Sequence, residues 1–125
     1  MFTNSEAASS GKAPLNEFNW TALDSVTQLA GIVENSMQSP QIIFKHSTSC
    51  GISSMVLKKF QQQHLQEQAR GHFYKLDLLK NREVSNEVAS FFKLRHESPQ
   101  ILVIHQGALV AHNAHYDILQ TQLWA

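Results

Sequence analysis

Between Pro40 and Phe60 an apolar run stops and a helical stripe begins, and this junction constrains the fold more than any other stretch of the chain. Gln41-Ile42-Ile43-Phe44 follows Ser39-Pro40 and is apolar and β-branched. Such a run predicts a strand over 41–46 that is buried on both faces. After it, Ile52, Met55, Val56 and Phe60 recur at three- and four-residue spacing, with Lys58, Lys59 and Gln61 to Gln63 between them. That spacing predicts a helix from Cys50 to about 69 that buries one stripe. The chain's single cysteine, Cys50, therefore falls at or next to a helix N-terminus.

The alternation continues on both sides of this junction. Residues 15–20 form a possible short first strand, and Leu23, Val26, Leu29, Ala30 and Val33 mark a helix face with Asp24 or Thr21 available as its cap. That helix fades before Ser39-Pro40. Arg70-Gly71 closes the second helix, where glycine can take the left-handed conformation past the last turn. His72 to Asp77 reads as an aromatic, partly alternating strand. Val84, Val88, Phe91 and Phe92 give a third helix over 83–94, and Glu97-Ser98-Pro99 breaks it. Ile101 to Ile104 and Ala108 to Ala111, parted by Gln106-Gly107, read as a hairpin. Ile118, Leu119, Leu123 and Trp124 suit a last short helix. The order β-α-β-α-β-α-β-β-α predicts an α/β fold, a central mixed sheet with helices on both faces. In such sheets ligands bind beyond the carboxyl ends of the strands, where the 41–46 strand delivers Cys50.

Composition narrows the function. With 125 residues the chain makes one domain, expected over 15–125 after a polar, flexible tail over 1–14. Ten basic residues balance ten acidic ones and no basic patch stands out, which argues against nucleic acid or an anionic membrane as partner. No run of about 18 apolar residues is present to span a bilayer, and the first residues lack the pattern of a secretory signal. One cysteine makes no internal disulfide, so a reducing cytoplasm is the expected compartment. Seven histidines, among them His105, His112 and His115, lack the tight, repeated spacing of a zinc site, so no metal is expected.

The thiol admits two readings from the residues alone. Unpaired N–H groups and the positive end of a helix dipole stabilise an anion at a helix N-terminus, and a thiolate is such an anion. Ser47, Thr48 and Ser49 keep the approach open and can cap the helix. The other reading is a buried cysteine that acts as a small hydrophobe.

Over roughly residues 15–125 the chain resembles the thioredoxin superfamily. Cys50-Gly51-Ile52-Ser53 looks like that family's C-x-x-C at the start of a helix, with Ser53 where the second cysteine would stand. Ser98-Pro99 before an apolar strand looks like the family's cis-proline turn, and Gln106-Gly107 like its hairpin glycine. More narrowly, Phe44-Lys45-His46-Ser47-Thr48 with Cys50 and Ile52-Ser53, Ser98-Pro99-Gln100, and Ala114-His115-Tyr116-Asp117-Ile118 are similar to the monothiol bacilliredoxins of the YtxJ type. Gly51 departs from the commoner proline after the cysteine.

That resemblance implies a thioredoxin-like fold and an activity: removal of bacillithiol from mixed disulfides on client proteins. Cys50 would be the catalytic thiol, bacillithiol the co-substrate, and no further cofactor would be required. S-thiolated proteins, the low-molecular-weight thiol and a recycling reductase are the implied partners. Thr48, Ser49, Gly51, Ser53, Ser98, Pro99 and His115 would stabilise the thiol or line the substrate groove, with His46 and Lys75 as further candidates near it. An iron–sulfur cluster shared between two chains through Cys50 is known among monothiol glutaredoxin-like folds and depends on geometry beyond the sequence. Two rivals remain: a non-catalytic thioredoxin-like module that grips an extended peptide, and a peroxidatic thiol, for which only Thr48 of the usual Thr and Arg pair is evident.

Overall fold

The computed structural model describes residues 17–124, so the expected tail over 1–14 lies outside the described residues. The elements run β1 (Thr21–Ala22), α1 (Gln28–Asn35), β2 (Gln41–His46), α2 (Gly51–His64), β3 (His72–Asp77), α3 (Arg82–Phe92), β4 (Gln100–His105) and β5 (Ala108–Ala114). Two 3-10 segments, Leu65–Arg70 and His115–Gln120, follow α2 and β5. The strands form one mixed sheet in the order β1-β3-β2-β4-β5. β1 and β2 run parallel to β3, and β4 runs antiparallel to β2 and β5. The expected thioredoxin-like α/β architecture is the one observed.

Strand β2 lies at the centre because all six of its residues avoid water. Its side chains alternate between two cores. Ile43 joins Leu29 and Ile32 of α1 and Val84 and Val88 of α3 on one face. Ile42 and Phe44 join Val56 and Phe60 of α2, with Ile118 and Leu123 of the C-terminal segment, on the other. Phe18 and Trp20 complete this second core, with Trp20 stacked on Phe60 at 6.1 Å between ring centroids. Each such side chain contributes about 1.5–3 kcal/mol through removal from water. Burial of Phe44, Val56 and Phe60 thus fixes α2, and the cysteine before it, against β2.

Several local expectations give way to tertiary packing. In the 15–20 segment, the described Phe18 and Trp20 pack as aromatic plugs, while strand pairing begins only at Thr21 opposite Tyr74. Helix α1 starts at Gln28 after Thr27, with neither Asp24 nor Thr21 as cap; instead Gln28 Oε1 accepts from the N–H groups of Asp24 and Ser25. In α2 the buried stripe is Ser53, Val56 and Phe60, and Ile52 and Met55 are 41% and 39% exposed. The helix turns its small hydroxyl inward to meet a buried partner, which leaves two apolar side chains on the surface of its first turns.

Gly71 is extended, with φ −148°, rather than left-handed. Its need for glycine is steric, since a Cβ there would stand 2.9 Å from the Pro40 carbonyl oxygen and 3.0 Å from Ile42 and Trp124 side-chain atoms. Helix α3 ends instead on a left-handed Lys93, and Phe91, expected inward, is exposed. The hairpin turn is as expected: Gln106 and Gly107 both have positive φ, as a two-residue turn between β4 and β5 requires. The last helix is a 3-10 segment held by Thr121, whose hydroxyl accepts from Asn113 Nδ2 and donates to the Asp117 carbonyl.

Candidate active site

Strand register collects the candidate residues at one edge of the sheet. His46 pairs with Asp77, Lys45 with Gln100, and Gln100 with Ala114. The carboxyl ends of β2 and β3, the start of β4 and the end of β5 therefore share that edge. Along it stand, in order, Asp77, the 47–50 loop with Cys50, Pro99 and His115. Neighbouring strands lie about 4.8 Å apart, so Pro99 enters β4 one strand from β2 and His115 leaves β5 about 10 Å from it.

Cys50 is a free, partly exposed thiol and the N-cap residue of α2, in extended conformation. Its N–H donates to the Ser47 carbonyl at 3.1 Å, and its carbonyl accepts the first helical bond, from Ser54 N–H, at 3.1 Å. The N–H groups of Gly51, Ile52 and Ser53 thus precede the first intrahelical bond and have no acceptor within the helix. Thr48 and Ser49 are exposed at the loop's tip, and Ser49 Oγ is 3.3 Å from Ser47 Oγ. Gly51 is exposed, and a Cβ added to it would meet nothing within 4 Å.

Ser53 lies fully buried beneath this turn. Its Oγ accepts from Ser47 N–H at 3.1 Å and stands 2.7 Å from His46 Nδ1. One hydroxyl thereby ties the first turn of α2 to both the end of β2 and the loop that carries the thiol. Burial pushes His46 below its ordinary value, Lys75 pushes it further the same way, and Asp77 opposes them. His46 is therefore a neutral imidazole near pH 7.

On the β4 side of the thiol, the Ser98–Pro99 peptide bond is cis and Pro99 is buried. The Pro99 carbonyl accepts from His115 N–H at 3.0 Å, and His115 itself has φ 57°. The exposed His115 ring approaches Glu97, Nε2 to Oε1, at 3.8 Å. Ser98 Oγ is buried and finds no hydrogen-bond partner among the described residues. The structure thus joins Pro99, His115 and Glu97 in one turn, and joins Ser53, His46 and the cysteine loop in another.

On the β3 side a groove of about 600 Å³ opens beside Thr48. Trp20, Asp24, His46, Lys75, Asp77 and Lys80 line it. Lys75 projects into this groove with Nζ 5.8 Å from the centroid of the Trp20 ring. The sequence signals only His46, Thr48 and Lys75 here. Trp20 and Asp24 flank β1, Asp77 and Lys80 lie at the end of β3, and the two pairs meet only through the pairing of β1 with β3.

Lys45 belongs to the run that carries the family resemblance, but the sequence gives it no role of its own. It is fully buried on the α3 side of β2, and its Nζ donates to the Ser85 carbonyl at 3.1 Å and lies 3.3 Å from His96 Nδ1. Burial without a carboxylate lowers its pKa to about 8. Among the described residues, no cluster of three or more His, Cys, Asp or Glu side chains is placed to hold a metal ion. None of the described helices is long and apolar enough to cross a membrane.

Comparison with known proteins adds to this geometry. A family model described as the monothiol bacilliredoxin BrxC matches residues 21–123. A solved thioredoxin-fold protein, provisionally described as an oxidoreductase, is similar at 26% identity and a TM-score of 0.69, over 79% of this chain and 86% of that one. Thioredoxin from Malassezia sympodialis matches at 16% identity and a TM-score of 0.66, over 86% and 89% of the two chains. Thioredoxin from Trypanosoma brucei brucei matches at 17% identity and a TM-score of 0.62, over 79% and 80%. The last two likenesses bear on the fold alone.

Proposed function

The chain belongs to the monothiol bacilliredoxin family BrxC, and we propose from that premise that it removes bacillithiol from mixed disulfides on client proteins through Cys50. The observation that carries the reading is the placement of the only cysteine, partly exposed, at the N-cap of α2 and the carboxyl edge of the sheet.

In this reaction the Cys50 thiolate attacks the bacillithiol sulfur of a client–S–S–bacillithiol disulfide. The old S–S bond breaks, a new one forms between Cys50 and bacillithiol, and the client sulfur leaves as a thiolate that takes up a proton. The client is reduced and Cys50 is oxidised to the mixed disulfide. With one cysteine in the chain, an outside thiol or reductase must then attack Cys50–S–S–bacillithiol to restore the free thiol.

The neighbours take supporting parts in this reading. The N–H groups of Gly51 to Ser53, without acceptors within the helix, are available as donors at the thiol's end of α2. Thr48 and Ser49 border its approach, and Ser53, bonded to Ser47 N–H, holds the loop. Ser98, just before the buried Pro99, offers an extended ligand a backbone to pair with. His115, bonded through its N–H to the Pro99 carbonyl, is available to protonate the leaving sulfur. Exposed Ile52 and Met55, on the first turns of α2, give the client an apolar contact.

Intact mass after incubation with oxidised bacillithiol, and separately with oxidised glutathione, tests the reading on the wild type and Cys50→Ser. A single adduct on the wild type, favouring bacillithiol and absent from the variant, is expected. An inert wild-type thiol would overturn the reading in favour of a module that binds without turnover.

A further inference from the structure

A mixed disulfide has two halves, and the thiol stands between two unlike flanks. The β4 flank is a backbone turn around Pro99, suited to an extended chain. The β3 flank is the groove of about 600 Å³. Thr48 lines the groove two residues from Cys50, and consecutive Cα atoms are about 3.8 Å apart, so the Cα atoms of Thr48 and Cys50 are at most about 8 Å apart. Its lining is mixed in sign, with Lys75 and Lys80 against Asp24 and Asp77, and includes the Trp20 indole and the Asn81 amide.

That set of groups matches the chemistry of a small polar thiol better than that of a peptide. Bacillithiol carries a free amine next to its sulfur, a sugar ring, and a malate with two carboxylates beyond the sugar. Two ammonium groups suit the malate carboxylates. The flat indole suits the face of a sugar ring, and the aspartates suit the amine. An extended peptide instead needs a run of unpaired backbone partners, and β3 is paired by β2 along its whole length and by β1 at Tyr74 and Lys75.

Resting on the proposed function, we propose that the groove between Trp20 and Lys80 binds the sugar and malate part of bacillithiol, while the client lies across the Pro99 turn. Lys75 and Lys80 then set the preference of Cys50 for this thiol over others, without a part in the exchange itself.

The test compares the rates of Cys50 adduct formation with oxidised bacillithiol and with uncharged hydroxyethyl disulfide, read by intact mass. Lys75→Gln and Lys80→Gln are each expected to lower the ratio of these rates about three- to tenfold, the worth of one charge-assisted hydrogen bond at a partly exposed site. Lys59→Gln, an equal loss of charge on α2 away from the groove, leaves the ratio unchanged. A constant ratio in both groove variants, whether both rates fall together or neither falls, overturns the assignment while the wild-type adduct leaves the proposed function standing. A wild type that forms no bacillithiol adduct overturns the proposed function and this inference with it.

Discussion

Strand β2 buries two neighbouring polar side chains, Lys45 and His46, on opposite faces of the sheet, and they are held in opposite ways. His46 is neutral and meets Ser53, which in turn holds Ser47, so the polar groups beneath the cysteine loop are partnered. Lys45 meets a carbonyl and an imidazole but no carboxylate, and burial draws its pKa down to about 8. The face that carries the thiol is stitched for position, whereas the other face tolerates an unpaired cation. Rigid support is thus concentrated where the sulfur must be placed.

The largest break in this comparison comes from Phe60→Ala. Phe60 is fully buried between Phe44, Phe73 and Trp20, and its loss opens a cavity under α2. Denaturant unfolding is expected to show a loss of about 3–5 kcal/mol. A loss below about 1 kcal/mol would mean that the thiol face is not held by this packing.

A finer break is Ser53→Ala, which removes one hydroxyl and strands two buried partners, Ser47 N–H and His46 Nδ1. Leaving such groups unsatisfied costs about 1–3 kcal/mol. Because the same hydroxyl holds the loop, alkylation of Cys50 is expected to change in rate as well. Unaltered stability together with an unaltered alkylation rate would show that the link between β2 and the thiol is dispensable.

Much of this is legible in the sequence, and the failures have physical causes. Periodicity reveals the order of elements, and the single cysteine between a strand and a helix reveals the site. The phase of α2 is misleading because Ile52, Met55, Val56 and Phe60 fit a helical stripe, and apolar pattern alone does not show that Ser53 is wanted inside by His46. The expected turn glycine, Gly71, is a close-contact glycine, since its neighbours Pro40 and Trp124 are distant in the chain. The groove is illegible because Trp20, Asp24, Lys75 and Lys80 are joined only by parallel pairing across the sheet.

On the opposite face, Lys45→Met is expected to hold or raise stability by about 1 kcal/mol near neutral pH, since it removes a buried charge that lacks a carboxylate. The wild type supplies its own control through pH. Below about 8 the ammonium is charged in both folded and unfolded chains and its burial cost is fully present; between about 8 and 10.5 the unfolded chain binds more protons, so stability rises with pH. Denaturant titrations across that window should show the rise in the wild type and its absence in Lys45→Met. Equal slopes would mean that the cation is better paired than its contacts imply.

The smallest effect belongs to Gly51, where the chain departs from the proline common after the cysteine in similar proteins. Gly51 is the first residue of α2, and Cys50 before it has φ −109° and ψ 119°, the extended region that a residue before proline prefers. A Cβ meets no neighbour there, and the N–H that proline removes precedes the first helical bond. Gly51→Pro is therefore expected to stabilise the fold by about 0.4–1 kcal/mol, through a less disordered unfolded chain. It also takes away one of the three N–H groups left without an acceptor in the first turn of α2. A thermal melt and the rate of Cys50 alkylation separate the two effects: a higher melting temperature with slower alkylation is expected. Destabilisation would show that Gly51 supplies a conformation that proline lacks, and the thiol loop would then owe its shape to chain freedom at position 51 as well as to Ser53.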